Sequence, residues 1–130
     1  MHKIILMLLL AAVSSSAMAE WVMVSQSKET TAYFNPSTIK KKGEKVKMWD
    51  MLDFRRADKT DDGKTFISNM AQDEFDCSEE QSRNLYSSGY SENMGKGVIV
   101  FHYSINGEWV PIVPDSIIES LWKIACGKKK

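Results

Sequence analysis

Between Val46 and Arg55 the chain runs Val-Lys-Met-Trp-Asp-Met-Leu-Asp-Phe-Arg, with apolar and charged residues in a largely two-residue alternation. Successive side chains of a strand point to opposite faces, so this order predicts a long strand with one face buried. Upstream, residues 20–25 and 31–35 are short runs rich in Trp, Val, Thr and Tyr, bounded by polar residues and by Asn35-Pro36-Ser37. Both are expected to be strands. Ile39 to Lys45 is a polar connection whose Gly43 suits a turn into the long strand. Asp62-Gly63, within the polar link from Ala57 to Lys64, is a hairpin signal that pairs residues 46–56 with 65–76.

Beyond Cys77 the polar Ser78-Glu79-Glu80-Gln81 leads into a further strand over 82–90. Gly95-Lys96-Gly97 then breaks the chain before Val98-Ile99-Val100-Phe101-His102-Tyr103, which is dense in β-branched and aromatic residues. Asn106-Gly107 is turn chemistry, and Trp109-Val110-Pro111-Ile112 is extended because proline disfavours helix in the residue before it. The period changes after that. Ile117, Ile118, Leu121, Trp122 and Ala125 share one stripe at helical spacing. Ser116 and Glu119 form a capping box, Asp115 puts negative charge near the helix start, and Gly127 stands where a helix stop belongs. The fold class that follows is α+β: a meandering antiparallel sheet of about six strands with one C-terminal helix of about three turns on one face.

The strongest apolar run lies outside this pattern. Met1-His2-Lys3 is a short basic start, Ile4 to Val13 is unbroken and apolar, and Ala17-Met18-Ala19 offers small residues before Glu20. This is the signature of a secretory signal peptide over residues 1–19, leaving one domain over residues 20–130. The run is about half of the roughly 20 residues that a membrane-spanning helix needs, and no second one follows, so no transmembrane segment is expected. The formal net charge of the whole chain is zero, and removing Lys3 with the signal leaves minus one. A nucleic-acid binder would carry a basic excess, so that class is excluded.

Export changes the meaning of the two cysteines. In an oxidising compartment an even count with a single possible pairing predicts a Cys77 to Cys126 disulfide, which would pin the end of the helix to the end of the 65–76 strand. A metal site would want four ligands, and only His102 remains of the histidines once the signal is removed. No metal or other cofactor is expected, and a Cys/His nucleophile would need the free thiolate that the disulfide removes.

The remaining motifs lead to no catalytic chemistry. Asp58, Asp61 and Asp62 suggest a calcium loop, but counting from Asp58 the twelfth position is Asn69 where a bidentate Glu belongs, so the hairpin turn is the better reading. Met94-Gly95-Lys96-Gly97 lacks the glycine spacing of a phosphate loop and is a turn. His102 lies mid-strand as a packed or half-exposed structural histidine, and the carboxylates Asp73, Glu74, Asp76, Glu79 and Glu80 belong to a solvated strand end and loop. The chain is therefore expected not to be an enzyme. Two basic clusters, Lys40-Lys41-Lys42 with Lys45 and Lys47, and Lys128-Lys129-Lys130, form solvated faces, or alternatively a patch that attracts sulfated glycans or anionic surfaces.

Taken in order, Trp21, the run Tyr33-Phe34-Asn35-Pro36-Ser37-Thr38-Ile39, Val46-Lys47-Met48-Trp49 and Glu74-Phe75-Asp76-Cys77 resemble the surface-adhesin protein E family of Gram-negative bacteria. Tyr90-Ser91, Met94-Gly95, Trp109 with Pro111, Pro114-Asp115-Ser116 and Cys126 continue the match over roughly residues 20 to 127. The resemblance implies an antiparallel sheet with a disulfide-tethered C-terminal helix, as the residues themselves do. It also implies a protein partner, either a host matrix or serum protein such as vitronectin or laminin or another envelope component, and homodimer formation. Binding is attributed to the middle of the chain, here Asp76 to Phe101, which makes Arg83, Tyr86, Tyr90 and Lys96 candidates beside Lys40, Lys41 and Lys42. The departure is at the cleavage site: the adhesin proper is lipid-anchored, whereas Glu20 cannot be acylated. The expected location is thus outside the cytoplasm, either the periplasm or the secreted and cell-surface space of a Gram-negative bacterium.

Overall fold

The structure, a computed structural model, describes residues 20–128. The expected signal peptide and the last two lysines of the tail lie outside the described residues. Strands β1 (Val22–Gln26), β2 (Thr30–Phe34), β3 (Lys40–Lys42), β4 (Lys45–Lys59), β5 (Thr65–Asp76), β6 (Gln81–Tyr90), β7 (Ile99–Ser104) and β8 (Val110–Pro111) precede one helix, α1 (Ile117–Ala125). All pair antiparallel in one sheet with the main order β1-β2-β4-β5-β6-β7, while β3 adds to β4 and β8 adds to β6.

The sheet has eight strands, two more than the sequence pattern predicts. One of the additions corrects the reading of residues 39–45 as a polar connection: Lys40 to Lys42 pair with Lys47 to Lys45 across Gly43-Glu44. The positive φ of Gly43 opens this two-residue loop, as a type II′ turn requires. Three consecutive lysines have little intrinsic strand preference. They become a strand because β4 is 15 residues long and pairs with β2 only from Asp50 to Phe54, leaving its first half open to a partner. The Asp62-Gly63 turn forms as expected, closed by a hydrogen bond from the Thr60 N–H to the Lys64 carbonyl at 2.8 Å.

Register assigns the two faces of the sheet. Val46 lies opposite Phe75 and Met48 opposite Asp73, so the even positions of β4 share a face. On that face Val46, Met48 and Phe75 meet Leu121, Trp122 and Ala125 of α1 in the main core, with Val24, Phe34, Ile39, Ile112 and Ile118 around them. Burying this set is what drives the helix onto the sheet, since each fully buried large apolar side chain is worth about 1.5–3 kcal/mol. Three local devices fix how α1 sits. Ser116 accepts the Glu119 N–H at 3.2 Å as the N-cap, the Trp122 indole N–H donates to the Asp76 carbonyl at 3.0 Å, and Cys126 is bonded to Cys77 with 5.6 Å between their Cα atoms. Glu119 reaches back to the N–H of Asp115, not to that of Ser116, so the capping box is closed one residue earlier than the standard pattern.

Candidate binding surfaces

The opposite face carries no helix. There Trp49 aligns with Gln72 and Tyr86, Met51 with Met70 and Ser88, and Asp53 with Ser68 and Tyr90, three cross-strand rows over β4, β5 and β6. One end of this face is roofed by the turn Asn93–Gly95. Asp53 accepts from the Asn93 side chain and the Met94 N–H, the Ser68 hydroxyl donates to the Glu92 carbonyl and accepts from the Gly95 N–H, and Met51 beneath is fully buried. The other end is open. Trp21, Asn35, Thr38, Trp49, Met70, Tyr86 and Tyr90 line a shallow cleft of about 380 Å³ there. Trp49 and Tyr86 meet edge to face with centroids 5.3 Å apart.

Of the sequence candidates, Arg83, Tyr86 and Tyr90 are thus brought onto one strand, but they do different things. Arg83 is committed internally: its Nε and Nη2 lie 2.8 and 2.7 Å from Glu74 Oε1, and its guanidinium covers the Trp109 ring at 4.7 Å. Tyr86 and Tyr90 face the cleft, the hydroxyl of Tyr90 accepting from Ser88 at 2.9 Å. Lys96 is exposed in the loop after the Asn93–Gly95 turn. Lys40, Lys41 and Lys42 lie apart from all of these, exposed on β3. The charge of that hairpin is partly answered across the sheet, because Lys47 lies opposite Glu74 and Lys45 opposite Asp76. His102 is exposed on β7.

Strand β7 is one end of the main strand order and pairs only with β6 among the described residues. From Gly97 to Gly107 no Lys, Arg, Asp, Glu or Pro occurs, and Val98, Ile99, Tyr103 and Ile105 are 68, 54, 49 and 50 % exposed. Edge strands normally carry such residues to prevent pairing with another chain. On the helix side of the sheet, Phe54, Phe66, Phe101 and Tyr103 continue this apolar edge as a run of ring contacts with centroids 4.9 to 6.2 Å apart.

A carboxyl pair lies under the helix side. Asp50 and Asp73 are 5 and 9 % exposed, and burial first, then the hydrogen bond to Asp73 and its negative charge, raise the Asp50 pKa well above its ordinary value of 3.8. Asp50 Oδ2 has no hydrogen-bond partner while both groups are ionised, and a proton on Asp50 supplies the donor that two carboxylates lack. Asn84 fixes Asp73 from the other side at 3.1 Å. Among the described residues no group of three or more His, Cys, Asp or Glu is arranged to hold a metal, and no helix is long and apolar enough to cross a membrane.

The sequence reading missed the part that Trp21, Trp49 and Met70 play in the cleft. A signal for Trp49 was present: in β4 the apolar residues Trp49 and Met51 occupy odd positions, against the even Val46 and Met48, which means that both faces of the strand are used.

An antiparallel sheet carrying one C-terminal helix is a fold that solved proteins share. The crystal form II structure of Haemophilus influenzae protein E matches with a TM-score of 0.64 at 11 % identity, covering 87 % of this chain and 91 % of that one. A second structure of Haemophilus influenzae protein E matches with a TM-score of 0.62 at 12 % identity over 87 and 88 %, and protein E from non-typeable Haemophilus influenzae with 0.57 at 12 % over 85 and 79 %. At these identities the likeness is one of fold. The sequence itself matches the family model for surface-adhesin protein E over residues 21–127, so this chain belongs to that adhesin family. No curated protein matches it significantly.

Proposed function

We propose that this chain is an exported, non-enzymatic binding protein whose edge strand β7 takes up an extended segment of a protein partner, in the adhesive case a host matrix or serum protein such as vitronectin or laminin. The observation that carries the reading is the uncharged, proline-free stretch from Gly97 to Gly107 at the open edge of the sheet. Added strands bind through main-chain hydrogen bonds, while alternate side-chain positions such as Ile99 and Tyr103 set specificity. Family membership supports the adhesin-like role. The lack of an acylatable cysteine at the predicted cleavage site favours a second reading, a periplasmic accessory protein that binds another envelope component in the same way. A second copy of the chain is a further occupant of the same edge, and sedimentation of the purified protein checks for it.

The test is binding of the purified exported chain to immobilised vitronectin and laminin, compared with an Ile99→Lys/Tyr103→Lys variant. Both positions are about half exposed, so the fold should survive the change. Saturable binding lost in the variant supports the edge. Binding that the variant retains moves the contact elsewhere, and no binding to either ligand favours the envelope reading.

A further inference from the structure

We propose that the cleft lined by Trp21, Trp49, Tyr86 and Tyr90 binds the ring of an uncharged pyranose sugar. The site is separate from β7, so it stands or falls independently of strand addition.

Three features of the cleft select this ligand class. None of the seven lining residues is charged, in a chain with 26 % charged residues, so an ionic ligand meets no counter-charge there. Trp49 and Tyr86 stand at 61° to one another and form a corner of two apolar walls. A pyranose presents a flat C–H face to such a wall and keeps its hydroxyls at the rim, matching the usual design of small-ligand sites in which apolar surface supplies contact and a few polar groups fix orientation. The polar group here is Asn35, only 7 % exposed. Its Oδ1 accepts from the N–H and hydroxyl of Ser37 at 3.1 and 2.7 Å, whereas its Nδ2 makes no hydrogen bond among the described residues. As a cleft-lining amide it offers a donor to a sugar hydroxyl or ring oxygen.

The dimensions favour one ring over a through-running peptide. The turn Pro36–Thr38 borders the cleft through Thr38, and the turn Asn93–Gly95 borders it through Met70, whose Cε would lie 2.1 Å from a Cβ placed on Gly95. The volume of about 380 Å³ is at the small end for ligand sites. Thr38 is already engaged, donating to the Asn35 carbonyl and accepting from the Trp49 N–H, so it holds the wall in place.

The experiment is an NMR titration of the purified exported chain, following indole N–H resonances, with maltotriose, cellotriose and triacetylchitotriose as probes. At least one trisaccharide is expected to shift the Trp21 and Trp49 signals but not those of Trp109 and Trp122, saturating at about millimolar concentration. Trp21→Ala and Tyr86→Ala should each weaken that affinity about tenfold, and Val113→Ala, at a position 60 % exposed and outside the cleft, should leave it unchanged. If Tyr86→Ala fails to fold, Trp21→Ala alone decides. The proposal is overturned if none of the three shifts these indoles up to about 50 mM. It is overturned equally if the affinity read from the Trp49 indole is unchanged in Trp21→Ala, or if a tetraproline peptide saturates the same indoles where the sugars do not.

Discussion

Asp50 has almost no water around it and a second carboxyl beside it. An acid whose pKa is higher in the fold than in the unfolded chain favours folding most when it is protonated in both states. Its stabilising contribution is full below the ordinary value of 3.8 and is lost as pH rises from there through the raised pKa. Asp76 has the opposite sign: the Glu79 N–H first, then the Ser78 hydroxyl and N–H, lower its pKa, so its contribution is present above the ordinary value and fades as pH falls. Asp50→Asn is therefore expected to raise the melting temperature at pH 7 and to flatten the decline in stability between pH 4 and 7, which calorimetry at several pH values checks. A melting temperature that falls at pH 7 would show that the ionised Asp50 is needed. Arg83 makes a contrasting prediction. Arg83→Ala leaves Glu74, with its side chain 9 % exposed, without its cation and uncovers Trp109, at a cost of about 2 kcal/mol after allowing for the partly exposed arginine. Urea unfolding measures it, and a loss below about 0.5 kcal/mol would return Arg83 to the set of free binding residues.

Among the elements, α1 and β5 are joined by the only covalent link besides the backbone among the described residues, closing a loop with a sequence separation of 49. Replacing Cys77 and Cys126 by Ala should cost about 4 kcal/mol by the loop-entropy relation, read as a lower urea midpoint. Strands β6 and β7 make a tighter geometric prediction. A Cβ at Gly89 would lie 2.1 Å from Cε2 of Phe101, so Gly89→Ala should cost about 1–3 kcal/mol, and much less once Phe101→Leu has removed the ring. The elements were mostly legible in advance. Alternation located β4, Asp62-Gly63 located its hairpin with β5, and Ser116 with Glu119 located the start of α1. Strand β3 was not legible, because Lys40 to Lys42 are held extended by pairing with β4 and not by their own preference. The cleft was half legible: Tyr86 and Tyr90 were named, but Trp21 and Trp49 join it only through the register of three strands and the Pro36–Thr38 turn.

For the whole molecule, one face of the sheet is committed to the helix, the other is part roofed and part open, and one long edge is bare of charge. That division separates stability from recognition: the core and disulfide hold the scaffold, and the open surfaces remain for partners. Membership of the surface-adhesin protein E family supports the proposed outward-facing role. Treatment of intact cells with external protease, followed by immunodetection of this chain, tests that role. An adhesin is degraded on intact cells at the same protease dose that leaves a periplasmic marker whole; full protection of the chain until the outer membrane is permeabilised would contradict adhesion and leave the envelope-binding role.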